Sequence, residues 1–509
     1  MQPYDDEGFP PPNDPAADLP DPHAPADVTP GEPLAPADGT PGNPAAPADE
    51  LAPYLSGATF DVSGRVDVPR HGRPVAPKLL SHLTVIGLIL AAVLVAAGVA
   101  FVWGDDAERG ALPPKPHPTG QQTNNAVVAQ RAGIGDLLER RGKAIRDHDK
   151  AAFLALIDPT AEQFRVDQSQ LFDRLSHVPF SSWSYELAGD GPALPKDRLV
   201  ALPKGSTIAR VRLDYQLAGS DSDVEREQYL TVVPRGGQWL LAGDTDAAAG
   251  GLTGESDIWD LGPVRVVHGK SSLVLGDASS KELRQLAAEA DRGVSDVGVV
   301  WKRPWSRHPV IVFPRSQADM AKLIGSNGKG LSQIAAVTTG SFESGLSRGD
   351  RVVVNPSAWR TLGSLGRRVV LAHEMTHLAT RAITVDDVPI WLSEGFADYV
   401  AYQAVEVPTN VVAGDVLDDV RAGKGPRDLP EDADFDAAQG DIAAAYEGAW
   451  LACRMIAERF GEKKLIALYV SYADSKNVSE SGQIKSTLGI SEGQLVKQWR
   501  AYLGARAKA

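Results

Sequence analysis

The sequence predicts an α+β protein, and three observations predict it. Between residues 131 and 250, two helical patterns precede three runs that alternate apolar and polar residues as strands do. From about residue 255 onward, short apolar strand-like runs come first and long helical patterns follow. Ahead of both lies one uncharged, almost wholly apolar run, Leu83 to Trp103, of about 20 residues, the length that spans a bilayer.

Taken in order, the chain opens with an arm, residues 1–80. Its first 64 residues are rich in Pro, Ala and Asp and contain no Lys or Arg. Such a segment cannot bury enough apolar area to offset its ordering entropy, so it is expected to be disordered. It reads as a solvated acidic arm, with a partner-binding tail as the other possibility. The run 83–103 then reads as a single transmembrane helix. It is too long and too far from the start to be an ordinary cleaved signal. A buried core helix is the competing reading, but the flanking sequence offers no domain to surround it. Arg65, Arg70, Arg73 and Lys78 precede the run, and Asp105, Asp106 and Glu108 follow it. The positive-inside rule therefore expects a cytoplasmic arm and everything after Trp103 outside the cytoplasmic membrane. Residues 104–130, rich in Gly, Pro, Gln, Asn and Thr, read as a linker.

A folded part is expected over 131–250. Leu137–Ile145 and Lys150–Ile157 carry helical periodicity with a polar break between them. Ala209–Leu217, Glu227–Val233 and Gln238–Ala242 alternate as strands. Helices followed by a curved antiparallel sheet resemble the nuclear transport factor 2-like α+β roll. This likeness is one of pattern only, and such rolls host many functions.

The second part is expected over 255–509. Val264–Val267, Ser272–Leu275, Val310–Phe313 and Arg351–Asn355 read as strands, with a helix from about Ser280 to Gly293. Gly325–Gly330 is Gly-rich but lacks the spacing of a phosphate-binding loop and reads as a plain connection. Asp441–Phe460 carries apolar residues at helical spacing and stops at Gly461. Ser491-Glu492-Gly493-Gln494 has the pattern of a capping box opening a last helix.

The chemistry sits in Val369-Val370-Leu371-Ala372-His373-Glu374-Met375-Thr376-His377-Leu378, which contains H-E-x-x-H inside an apolar, helix-compatible run. Positions four apart share a helix face, so His373 and His377 can present ring nitrogens to one ion. Glu374 beside them can act as a base on a water without being a ligand, and Zn²⁺ is the ion this pattern implies. The competing reading is a surface helix that happens to carry two histidines. Against it stands Pro389-Ile390-Trp391-Leu392-Ser393-Glu394-Gly395-Phe396-Ala397-Asp398-Tyr399, where Glu394 and Asp398 are again four apart in apolar surroundings. Glu394 is the natural third ligand. Asp398 can take a hydrogen bond from the second ring nitrogen of a ligating histidine. The metzincin pattern is excluded, because Thr380 and Ile383 stand where it needs glycine and histidine, and no histidine follows His377.

His373-Glu374-x-x-His377 followed by Trp391-Leu392-x-Glu394-Gly395-Phe396-Ala397 resembles the gluzincin metallopeptidases, in particular the peptidase MA-like group related to the membrane alanyl-type aminopeptidases. The spacing of Glu394 and Asp398 is also similar to that of thermolysin-like enzymes. The resemblance covers roughly the last half of the chain. It implies a small mixed sheet above the metal-binding helix, a helical half below, and hydrolysis of peptide bonds with Zn²⁺ held by His373, His377 and Glu394. Sixteen residues separate His377 from Glu394, slightly fewer than is usual in that group. The chain has no Gly-Ala-Met-Glu-Asn segment, by which the aminopeptidases hold a free amine, so endo- or exo-preference stays open. Tyr446, in Tyr446-Glu447-Gly448-Ala449, resembles the tyrosine that supplies the oxyanion donor in that group. A core tyrosine is the equal alternative, and Tyr399 and Tyr402 compete for the role.

The formal net charge of -15 argues against a nucleic-acid partner. Cys453 is the only cysteine, which excludes an internal disulfide and a multi-thiolate metal site. The partners expected are a peptide or protein substrate and the membrane. Two further classes stay open: a membrane-tethered binding protein with a structural or inactive zinc domain, and a scaffold worked through the acidic arm. The full set His373, Glu374, His377 and Glu394 argues for the enzyme, since a decayed site has no reason to keep its base.

Overall fold

The computed structural model describes residues 120–343, 346–381, 388–437, 442–472 and 479–509. The acidic arm, the apolar run 83–103 and the first residues of the expected linker lie outside them. Among the described residues no helix is long and apolar enough to cross a membrane. All described residues fall within one unit of the chain.

The order begins α1 (Gly120–Arg146), α2 (Lys150–Ala155), α3 (Glu162–Leu175), β1 (Phe180–Asp190), α4 (Lys196–Ala201), β2 (Thr207–Leu217), β3 (Asp223–Arg235) and β4 (Gln238–Gly243). Helix α1 starts within the stretch expected as a linker. Asp149 caps α2, its carboxylate accepting from the Ala152 amide at 2.9 Å. Strands β1 to β4 form an antiparallel meander, with Thr207 opposite Val232 and Gln216 opposite Asp223 in the central pair. The alternation read in β2 has its physical cause here. Val211, Leu213, Tyr215 and Leu217 are buried, while the residues between them are half-buried. Leu137, Leu138, Leu156 and Ile157 pack on Val211, Leu230, Val232 and Leu241.

The chain continues with α5 (Ile258–Leu261), β5 (Arg265–His268), β6 (Leu273–Gly276), α6 (Ser280–Val300), β7 (Val310–Phe313), α7 (Gln317–Leu323), β8 (Ala336–Glu343) and β9 (Leu346–Val354). Strands β6, β7 and β9 run parallel, and β6, β7 and the Val352–Val354 end of β9 are buried, which is why these stretches are continuous apolar runs instead of alternating ones. β5 closes one edge antiparallel to β6, and β8 pairs antiparallel with β9. Among the described residues, nine strands make one sheet in the order β1-β2-β3-β9-β7-β6-β5, with β4 on β3 and β8 on β9. The meander joins the rest at one parallel pair, Asp223 opposite Arg348. Close by, the buried Asp257 accepts from Arg351 of β9 at 2.6 Å and from Arg226 of β3 at 3.3 Å.

The remaining elements are helical: α8 (Pro356–Thr361), α9 (Ser364–Thr380), α10 (Ile390–Gln403), α11 (Thr409–Val412), α12 (Gly414–Arg421), α13 (Ala443–Phe460), α14 (Glu462–Ser471), α15 (Glu480–Leu488) and α16 (Glu492–Arg506). The buried Asn355 ends β9 and starts α8. Its Oδ1 accepts from the Ser357 amide, and its Nδ2 donates to the carbonyls of Leu331 and Ile334. Helix α13 stops at Gly461, at φ 94°, as expected from the sequence. Ser491 and Gln494 form the expected capping box at α16.

Candidate metal centre

Helix α9 is buried on nearly every side, because it runs between β8 and β9, α6 and α10. Its polar residues therefore need internal partners. Thr376 and Thr380 donate their hydroxyls back to the carbonyls of Ala372 and Thr376. Gly293 lets α6 lie close against it. A Cβ there would stand 2.8 Å from the Met375 sulfur.

The histidines project from this helix toward α10, which supplies Glu394 and Asp398. The Nε2 atoms of His373 and His377 are 3.1 Å apart, and Glu394 Oε2 lies 3.2 Å from the first and 3.4 Å from the second. Ligands about 2.0–2.2 Å from a tetrahedral zinc stand about 3.3–3.6 Å apart, so this triangle has close to the dimensions of one face of such a site. His373 Nδ1 is 2.8 Å from Asp398 Oδ1. That contact assigns the proton to Nδ1 and leaves Nε2 its lone pair when the ring is neutral. A bare imidazole nitrogen, a second imidazole nitrogen and a carboxylate oxygen thus converge, which is a donor set suited to Zn²⁺. Among the described residues, these three are the group able to hold a metal ion.

The electrostatics follow from burial. Desolvation would lower the His373 imidazolium, but Asp398 and Glu394 outweigh it and hold the ring well above its usual range. Burial would raise Glu394, yet His377 and His373 prevail and bring it down to about 2. Glu374 is pushed up, mainly by burial, against the pull of both histidines and of a hydrogen bond from Thr338. The Thr338 hydroxyl, on β8, lies 2.7 Å from Glu374 Oε2 and 3.0 Å from the Glu374 carbonyl.

Gly395 explains how α10 reaches this position. A Cβ on it would lie 2.4 Å from the Ala449 carbonyl oxygen and 3.0 Å from the Cys453 sulfur. Only glycine lets α10 rest on the backbone of α13, and that contact seats Glu394 opposite the histidines.

No known protein-family profile matches the chain, and no curated protein matches it. A two-domain M1 zinc metallopeptidase, a mutant bound to L-arginine, is distantly similar in structure. The identity is 13%, the match covers 64% of this chain and 71% of that one, and the TM-score is 0.26. A likeness of that degree fixes neither fold nor activity.

Of the residues singled out in the sequence, His373, Glu374, His377, Glu394 and Asp398 come together. Tyr446 stands beside them, its ring 6.4 Å from that of His373. Its hydroxyl is buried and makes no well-formed hydrogen bond. It is pushed well above the usual tyrosine range by burial and then by Glu394, Asp398 and Glu374. Tyr399 is engaged elsewhere, donating to Glu462 at 3.1 Å. Tyr402 is buried against Trp450, and burial, then Asp398 and Glu447, push its hydroxyl well up. The residue missed in the sequence is Thr338. Ala336-Val337-Thr338-Thr339-Gly340 has no strong strand period, and nothing in it points to a helix 36 positions away.

Proposed function

We propose that this chain is a zinc-dependent peptide hydrolase with Glu374 as its general base. The observation that carries the reading is the triangle of His373, His377 and Glu394 with a buried, non-ligating carboxylate beside it. A bound Zn²⁺ supplies Lewis acidity to the scissile carbonyl and to a water. The chain's own residues do the rest. Asp398 holds the Nδ1 proton of His373 and so directs Nε2 to the metal. Glu374 takes one proton from water as its oxygen adds to the carbonyl carbon. It returns that proton to the departing amine nitrogen as the C–N bond breaks. The Tyr446 hydroxyl, buried beside the cluster without a well-formed hydrogen bond, is the candidate donor to the oxyanion.

The reading includes place. The apolar run 83–103 anchors the chain, and the Arg and Lys residues before it put the hydrolase outside the cytoplasmic membrane. Protease added to intact cells should then degrade the part after Trp103 and spare the arm. The reverse pattern overturns this placement.

The central test is Glu374→Gln in the full chain, with metal content and cleavage of a peptide library as readouts. Zinc should stay at one per chain and cleavage should be lost. His373→Ala and Glu394→Ala should each lose the stoichiometric metal. A Glu374→Gln protein that cleaves as well as the parent sinks the mechanism.

A further inference from the structure

We propose that Thr338 is a positioning residue for Glu374. The proposal rests on the reading of Glu374 as the general base. Thr338 is buried on β8, and its hydroxyl is 2.7 Å from Glu374 Oε2. A carboxylate on a helix can rotate about its side-chain bonds, and a buried carboxylate with an unmet oxygen carries a desolvation cost. One hydrogen bond from Thr338 addresses both. It satisfies Oε2 and fixes the plane of the carboxylate, leaving Oε1 as the oxygen free to take a proton.

The same hydroxyl also lies 3.0 Å from the Glu374 backbone carbonyl. Its single proton thus has two acceptors on one residue, and the shorter contact is to the side chain. If a proton arrives on Oε1, Oε2 stays an acceptor and Thr338 keeps donating to it. If the carboxyl turns so that Oε2 carries the proton, Thr338 can accept there and donate to the backbone carbonyl instead. In both states the Thr338 hydroxyl keeps its contact with Glu374 Oε2. The β-branched threonine suits the task, because its χ1 is stiff and the strand fixes its Cα.

The test compares Thr338→Val, which keeps the shape and deletes the donor, with Thr338→Ser, which keeps the donor. A hydrogen bond to a charged group is worth enough that its loss should lower kcat by about 10- to 100-fold, with KM little changed. The serine variant should recover most of that loss. A readout independent of turnover is the infrared carboxylate band that disappears in Glu374→Gln. It should shift in Thr338→Val and hold its place in Thr338→Ser, with or without zinc. Thr338→Val with parental kcat and an unshifted band overturns the proposal. So does a serine variant as impaired as the valine one, since packing alone then explains the loss. If the valine variant loses zinc or melts early, Thr338→Ala read against Thr338→Ser makes the same comparison. Failure of the underlying reading looks different. In that case Glu374→Gln itself leaves cleavage intact.

Discussion

Asp398 Oδ1 lies 2.8 Å from His373 Nδ1, one helical turn beyond Glu394 on the same helix. One face of α10 thereby carries both Glu394, proposed as a ligand, and the group that would orient His373 as a second one. Asp398→Ala removes the acceptor and frees the imidazole to turn or to place its proton on Nε2. Loss of such a partner typically weakens metal binding 10- to 100-fold, about 1.4–2.8 kcal/mol. Competition with a zinc chelator should show that loss, with a smaller one for Asp398→Asn, whose carbonyl still accepts. Unchanged zinc affinity in Asp398→Ala would remove Asp398 from the site.

Gly395 governs how α10 meets α13. Gly395→Ala drives a Cβ against the Ala449 carbonyl, a backbone atom that cannot step aside. Overpacking of this kind costs about 1–3 kcal/mol and should also displace the neighbouring Glu394, lowering both melting temperature and zinc affinity. Gly493→Ala is the control. It lies in α16 with nothing near its would-be Cβ, so it should be neutral or slightly stabilising. Equal behaviour of the two variants would count against the close approach.

The centre was legible in the sequence because its geometry is local. Two pairs spaced four apart, His373 with His377 and Glu394 with Asp398, each need only one helix to share a face. Helix ends were legible where a side chain or backbone demanded a specific residue, as at Ser491 and Gly461. What escaped was set by tertiary contact. β1 is an exception: Trp183-Ser184-Tyr185-Glu186-Leu187 alternates and its exposure follows that alternation, although Trp183 alone of its residues is fully buried. The bond from Thr338 to Glu374 depends on where β8 crosses α9, which no local spacing encodes.

The joint between the meander and the rest of the sheet gives a pH-dependent prediction. Burial alone would raise the Asp257 carboxyl, but Arg226 and Arg351 overcome it and hold it below the ordinary carboxylate range. Its folded pKa is therefore below the unfolded value of about 3.9. The stabilisation is present above that value and is lost as pH falls through the folded pKa. Asp257→Asn leaves two buried guanidinium groups without their carboxylate, and removing one partner of a buried pair costs about 3–5 kcal/mol. Denaturation across pH 2–7 should show a lower plateau for the variant and a shallower fall in acid than the parent. Parallel curves would mean that Asp257 is not the group titrating.

Tyr446 offers a prediction in which stability and activity move apart. Its hydroxyl is buried, faces three carboxylates and has no well-formed hydrogen bond, while its ring packs on Phe435 at 5.1 Å. Burying a hydroxyl without a well-formed hydrogen bond is costly, so the fold gains little from this oxygen. A tyrosine kept for packing alone would do as well as a phenylalanine. Tyr446→Phe should accordingly leave the melting temperature unchanged or raise it, and should leave zinc content at the parental level. If the phenol donates to the oxyanion, deleting it should lower kcat by about 10²–10³, or roughly 3–4 kcal/mol. Raised stability with that loss of turnover assigns the hydroxyl to the reaction. Parental turnover instead leaves Tyr446 as core packing, and Tyr402, whose hydroxyl is also buried and unpartnered, becomes the next tyrosine to replace.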